Sequence, residues 1–298
     1  MVNVGEAEPM NTRVSLPVFQ TVMDTFAFAL SKFPSLFVLT FVAAIITEPL
    51  TFLSLQFTGA FAGLASLAQP GVSTERFIAS LPNSGPGLLI VLMGVLFFLA
   101  LITVPIIRHI THGERLWLIR INSRTFHYML SQLPVLLILV GIILLWLDAA
   151  AMKFLLWLPV LIVLSYFGAR LSLVPVDAIV SGSVNIRNGL SLSRNNGLRL
   201  LLIILAVGLP ILIVGLVAMD AVLQLYSADQ DPLATASELD ASYIFDGGPG
   251  QILELYGHIF SRPAFIAANM IVFLFLAIAA GALLSAPAIA YCKLTKGH

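Results

Sequence analysis

Charge is what this chain has least of. Lys, Arg, Asp and Glu make up 10% of its 298 residues, against about 25% in soluble domains. Hydrophobic residues reach 59% and the mean hydropathy is +1.01. A soluble fold of this length is excluded, because the chain carries more apolar surface than one domain can bury. Cysteine is nearly absent too: Cys292 stands alone, so an intramolecular disulfide and a four-cysteine metal site are both ruled out. The first 15 residues contain Glu6 and Glu8 and lack an apolar core, so no cleavable signal peptide is expected. Catalytic constellations are missing as well. No serine sits in a Gly-x-Ser-x-Gly setting. His109 and His112, with Glu114, are too few ligands for a metal. Gly247-Gly248-Pro249-Gly250 falls in an acidic loop and reads as a turn, not a phosphate cradle. Neither an enzymatic activity nor a cofactor is expected.

What the chain does have is long apolar runs. A spanning helix needs roughly 20 apolar residues to cross a hydrocarbon core of about 30 Å at about 1.5 Å per residue. Runs at 34–57, 87–110, 133–147, 154–176, 200–225 and 263–290 answer to this, the third being the shortest. The expected fold is an all-α integral membrane protein, a single membrane domain over 1–298 with six transmembrane helices. Basic residues are retained on the cytoplasmic side during insertion. With the N-terminus inside, twelve of the fifteen Lys and Arg fall on that side, leaving Arg76, Lys153 and Arg262 outside. Both termini are therefore expected to be cytoplasmic, in a bacterial inner (plasma) membrane. The formal net charge of zero hides a basic cytoplasmic face suited to anionic lipid headgroups. No nucleic-acid partner is expected.

An internal repeat is legible at the entries to the odd-numbered runs. Leu30-Ser31-Lys32-Phe33-Pro34 precedes the first, Leu130-Ser131-Gln132-Leu133-Pro134 the third, and Leu192-Ser193-Arg194-Asn195-Asn196 the fifth. The even-numbered runs each carry a proline near the cytoplasmic end, at Pro105, Pro175 and Pro287, with Thr103, Ser172 and Ser285 just upstream. Those hydroxyls are placed to accept the role of the donor that each proline lacks. The pattern predicts three parallel helical hairpins, repeats over 15–110, 115–180 and 183–292, each led by an interfacial amphipathic helix.

In the first such helix Phe19, Val22, Met23, Phe26, Leu30 and Phe33 share one face. In the second, Leu118, Ile121, Thr125 and Tyr128 oppose a basic stripe of Arg120, Arg124, His127 and Ser131. In the third, 185–199, Arg187, Arg194 and Arg199 supply the charge, with fewer apolar partners. Arg120, Arg124, Arg187 and Arg194 are the candidate headgroup-binding cations; topology and anchoring alone also require such residues.

Polar residues at membrane depth are the other candidates. Glu48 lies roughly 20 Å along the first span and needs a partner such as Lys153 or Arg262, or protonation. Tyr166, Arg170 and Asp177 recur at steps of four and seven, on one face of the fourth span, where Asp177 is a ready counter-charge for Arg170. The last span has small residues on two faces, Ala277, Gly281 and Ser285 on one and Ala282, Ala286 and Ala290 on another. Such faces let backbones approach closely, which places this helix at the centre of the bundle.

The stretch Tyr166-Phe167-Gly168-Ala169-Arg170-Leu171, then Pro175, then Gly189-Leu190-Ser191-Leu192-Ser193-Arg194-Asn195-Asn196-Gly197 resembles a bacterial six-span membrane family. That family includes the membrane domain attached to some glycerophosphodiester phosphodiesterases. The resemblance implies the six-span architecture. In the fused members it implies that catalysis belongs to a separate soluble barrel, for which this sequence has no counterpart. The expected function is a non-enzymatic membrane protein that organises lipid or a membrane-protein partner. The alternative is a carrier or flippase-like protein for a lipid or amphiphile, with the proline kinks converging on a cavity that reaches toward Glu48.

Overall fold

The computed structural model describes residues 15–58, 74–116, 119, 121–134, 154–228 and 263–296. Among these every regular element is a helix. In chain order they are α1 (Val18–Ser31), α2 (Phe33–Phe57), α3 (Thr74–His112), α4 (the helical residues 123–134), α5 (Phe154–Leu171), α6 (Leu173–Ser181), α7 (Ile186–Ser193), α8 (Gly197–Ala228) and α9 (Pro263–Lys296). Five segments are long and apolar enough to cross a membrane: Phe33–Leu55, Gly85–His112, Ile162–Ser181, Gly197–Val222 and Ile266–Thr295. The expected third run, 133–147, falls almost wholly outside the described residues.

The apolar surface is distributed as a lipid solvent requires. Only 22% of the most apolar window of α8 is buried, and Leu202, Leu209, Leu212, Leu216 and Val217 point outward. An aqueous protein does not leave such a face open. The interior is built from α3 and α9. In α3 every residue from Ala100 to Ile107 is buried, which makes it apolar all round and central. The helix α9 packs against α1, α2, α3, α6 and α8, with Ala277, Ala282, Ser285, Ala286 and Ala290 all buried. Both small faces thus find partners. At Gly281 an added Cβ would lie 2.5 Å from Leu36 Cδ1 and 3.3 Å from Ala29 Cβ, so glycine is what allows α9 to touch α1 and α2.

One end of the bundle gathers the short helices. There α3 and α6 stop at Gly113 and Gly182, whose φ values of 70° and 72° are open to glycine at little cost. The first helix turns into α2 at Lys32, and α7 turns into α8 through residues 194–196.

The proline-linked hydroxyls do not act as expected. Ser172 Oγ donates to the Ala169 carbonyl (2.7 Å) and Ser285 Oγ to that of Ala282 (3.3 Å), while Thr103 Oγ1 has no hydrogen bond. The carbonyls deprived by Pro175 and Pro287 belong to Leu171 and Leu283, one and two residues before those serines. A helical serine reaches three or four residues back, so it cannot serve them. Ser172, between α5 and α6, keeps helical geometry and donates its amide to the Gly168 carbonyl at 3.0 Å.

Candidate functional site

The polar residues concentrate at the end where α1, α4, α6 and α7 meet the termini of α3, α8 and α9. There α1 shows how the short helices sit. Its inward face is Thr21, Thr25 and Ala29, all buried, and its outward face is Phe19, Met23 and Leu30, exposed by 79%, 53% and 66%. The two threonines remain satisfied because Thr21 Oγ1 and Thr25 Oγ1 donate to the carbonyls four residues back, each at 2.7 Å. Small residues inward allow close approach to α9; large apolar residues outward meet lipid.

The helix α4 repeats that plan. Thr125, Tyr128 and Ser131 are buried, while Phe126 and Leu130 are exposed. Ser131 therefore belongs to the inward face, not to the basic stripe, and Ile121 is outward rather than packed with Thr125 and Tyr128. In α7 the buried pair is Gly189 and Ser193. A Cβ on Gly189 would come within 2.8 Å of the Val174 backbone, so α7 lies directly on α6. Of the serines in the three junction phrases, Ser131 and Ser193 are buried and Ser31 is exposed.

Arg170 and Asp177 do not pair. Arg170 Nε donates to Ser193 Oγ (3.2 Å) and its Nη2 to the Leu190 carbonyl (3.1 Å), a cation placed on the C-terminal turn of α7 where the helix dipole favours it. Its guanidinium also lies 5.9 Å from the Tyr166 ring. Asp177, 2% exposed, accepts from Asn188 Nδ2 (2.9 Å) and Tyr291 Oη (3.1 Å) through Oδ1. Arg170 and Asp177 are both turned toward α7, as steps of four and seven predict, but each meets its own partner there instead of the other. Tyr166 fills the space beside Gly197, where a Cβ would be 2.8 Å from its ring. Tyr166, Arg170, Asp177, Gly189 and Gly197 therefore form one packing unit that fastens α7 to α5, α6 and α8.

Three acids at this end are engaged by other groups of the protein. Asp177 is one; Glu114 pairs with Arg108 at 2.5 Å, and Asp24 with Lys293 at 2.6 Å. His109 Nδ1 lies 2.5 Å from the Glu114 carbonyl oxygen. Among the described residues Arg115, Arg124, Arg187, Arg194 and Arg199 form no ion pair, and all but the half-buried Arg124 are exposed. Arg120 lies outside the described residues. Among the described residues the end consequently presents a surplus of positive charge beside the outward apolar residues of α1 and α4.

Glu48 is exposed on α2, on the same outward side as Phe41 and Ile45. Its expected partners Lys153 and Arg262 lie outside the described residues. No group of three or more metal-ligating side chains occurs among the described residues. Sequence reasoning missed Asn188, Asn196 and Tyr291. Asn196 Oδ1 accepts from the Leu16 amide at 3.1 Å, and both this bond and that of Tyr291 to Asp177 span more than a hundred residues, beyond any local spacing rule. The Asn185 side chain, accepting from the Asn188 amide at 3.1 Å, was in principle readable as an N-cap.

Comparison with known proteins returns no matching family model, no matching curated protein and no matching solved structure.

Proposed function

We propose that this chain is a non-enzymatic, multi-pass protein of a bacterial inner membrane, with six spans in three parallel hairpins and both termini cytoplasmic, which gathers anionic lipid at its basic end. The observation that carries the reading is the unequal use of charge there. Asp24, Glu114 and Asp177 are engaged within the protein, while Arg115, Arg187, Arg194 and Arg199 stand exposed without acidic partners among the described residues. A basic residue near an anionic leaflet contributes about 1 kcal/mol. Outward Phe19, Leu30, Phe126 and Leu130 give the same end an apolar grip.

The carrier reading needs a passage lined by Glu48 or Arg170. The cavity where the proline-bearing ends meet has neither in its wall, and Arg170 is spent on α7, so lipid organisation is preferred. The test is reconstitution of the full chain in nanodiscs of mixed phosphatidylglycerol and phosphatidylethanolamine, with retained lipid quantified by mass spectrometry. The chain should enrich phosphatidylglycerol. Changing Arg115, Arg187 and Arg194 together to Gln should lower that enrichment about tenfold, a fraction of the additive limit once salt screening is allowed for. Equal retention of the two lipids would refute the reading, and a stoichiometric co-purifying protein would replace lipid by a partner.

A further inference from the structure

The ends of three spans that carry prolines enclose a cavity of about 170 Å³ with Pro175 and Pro287 in its wall. Its polar groups are few and uncharged: Thr103, Tyr128, Gln132 and Ser172. The remainder is apolar, including Ile107, Val176, Leu283 and Leu284. Three features make this more than a packing defect.

The first is Thr103. Its residue is 3% exposed and its hydroxyl has no hydrogen-bond partner, although the Tyr128 phenol reaches toward it and toward Gln132. A buried hydroxyl left unmatched is unfavourable, and here it faces a space that a ligand could fill. The second is Gly168. It lies within α5, where glycine is a poor helix former, and a Cβ added there would meet nothing within 4 Å. Gly189 and Gly197 are glycine because a neighbour occupies the Cβ position. No such contact accounts for Gly168, which lines the cavity and has open space where a Cβ would stand. The third is depth. Thr103 and Pro287 each lie about nine residues before the end of their helix, or roughly 13 Å inside it, away from the charged residues at the helix ends.

We propose that this cavity binds the uncharged, hydroxyl-bearing end of a neutral membrane lipid, a diacylglycerol-type alcohol, whose oxygen meets Thr103, Tyr128 and Gln132. Charge is the first discriminator, because no Lys, Arg, Asp or Glu lines the space and an ion there would lack a counter-charge. Size is the second. An apolar cavity of about 150 Å³ accepts a benzene-sized guest, so this one takes a glycerol-sized end and leaves the acyl chains among the helices. The site is separate from the exposed cations of the preceding reading and stands without them.

The test uses the full chain in nanodiscs of zwitterionic lipid doped with a diazirine-bearing diacylglycerol, cross-linked and mapped by mass spectrometry. Labelling should concentrate on peptides containing Thr103, Tyr128, Gly168 or Leu284. Thr103→Val and Tyr128→Phe should each reduce it about fivefold, the effect of one lost hydrogen bond. Gly168→Leu should abolish it by filling the space. Gly168→Ala, which meets no neighbour, should melt no lower than the parent and verifies that position 168 tolerates a side chain. Arg187→Gln should leave labelling unchanged, which separates this site from the basic surface. Equal labelling of Gly168→Leu and parent, equal labelling by the corresponding phosphatidylglycerol probe, or labels spread evenly onto outward residues such as Leu212 and Val217 would each overturn the proposal.

Discussion

Removing the Arg170 side chain should release α7 without dismantling the bundle. Eight residues form this helix, fewer than an isolated helix needs in water, so its stability comes from what holds it. Those holds are the Asn185 cap, the contact of Gly189 with Val174, the bond from Asn188 to Asp177, and the two bonds from Arg170 to its last turn. A hydrogen bond to a charged group contributes about 1.5 to 3 kcal/mol. Arg170 is only half-buried, and the freed Leu190 carbonyl and Ser193 hydroxyl can find water, so about 2 kcal/mol for both bonds together is the appropriate figure. That corresponds to about a thirtyfold larger opening constant. Hydrogen exchange followed by mass spectrometry, on Arg170→Ala in nanodiscs, should show amides in 186–193 exchanging about thirtyfold faster while those of α3 and α9 keep their protection. Arg170→Lys should fall between, since an ammonium keeps the charge at the helix end but cannot reproduce the guanidinium fork. Unchanged exchange in 186–193 would refute the idea that Arg170 is a helix-fastening residue and return it to the pool of candidate ligand-binding cations.

Two packing predictions follow from the same geometry. Gly189→Ala should lower the thermal midpoint in detergent, by about 1 to 3 kcal/mol of overpacking, and Val174→Ala should not restore it, because the new Cβ meets the Val174 backbone at 2.8 Å as well as its side chain. Gly281→Ala should also destabilise, yet Leu36→Ala in the same chain should recover much of the loss, because the closest atom there, at 2.5 Å, is the end of a flexible leucine. A double-mutant cycle showing additive effects at 281 and 36 would contradict the placement of α9 against α2.

Hydropathy alone located Phe33–Leu55, Gly197–Val222 and Ile266–Thr295 to within a few residues, because lipid imposes length and apolarity on any helix that crosses it. The central position of α9 was legible for a related reason: small residues on two faces have no use against lipid and every use against neighbouring helices. The apolar stripe of α1 was legible too, but not its division: Phe19, Met23 and Leu30 face outward, whereas Val22, Phe26 and Phe33 pack against the core, and Thr21, Thr25 and Ala29 are buried. The common face of Arg170 and Asp177 was legible, but not that each would find its own partner in 186–193 instead of the other. The bond from Tyr291 to Asp177 needed the tertiary arrangement itself.

The basic end can be weighed against the requirements of insertion, which by themselves place Lys and Arg on the cytoplasmic side of any multi-pass protein. Counting cations therefore cannot separate a lipid-gathering surface from an ordinary topology signal. The acids can, because they steer topology only weakly and insertion leaves them free to sit beside the arginines and cancel them. Here Asp24 is drawn to the mostly buried Lys293, Glu114 to Arg108 on the last turns of α3, and Asp177 into the joint between α6, α7 and α9. Each of these placements also fastens a short helix or a loop to the bundle, and each leaves the exposed arginines of the α7 to α8 turn uncompensated. Under the proposed function, that separation leaves the arginines available to anionic headgroups. The acids, by where they are spent, are what make Arg115, Arg187, Arg194 and Arg199 the residues to change first.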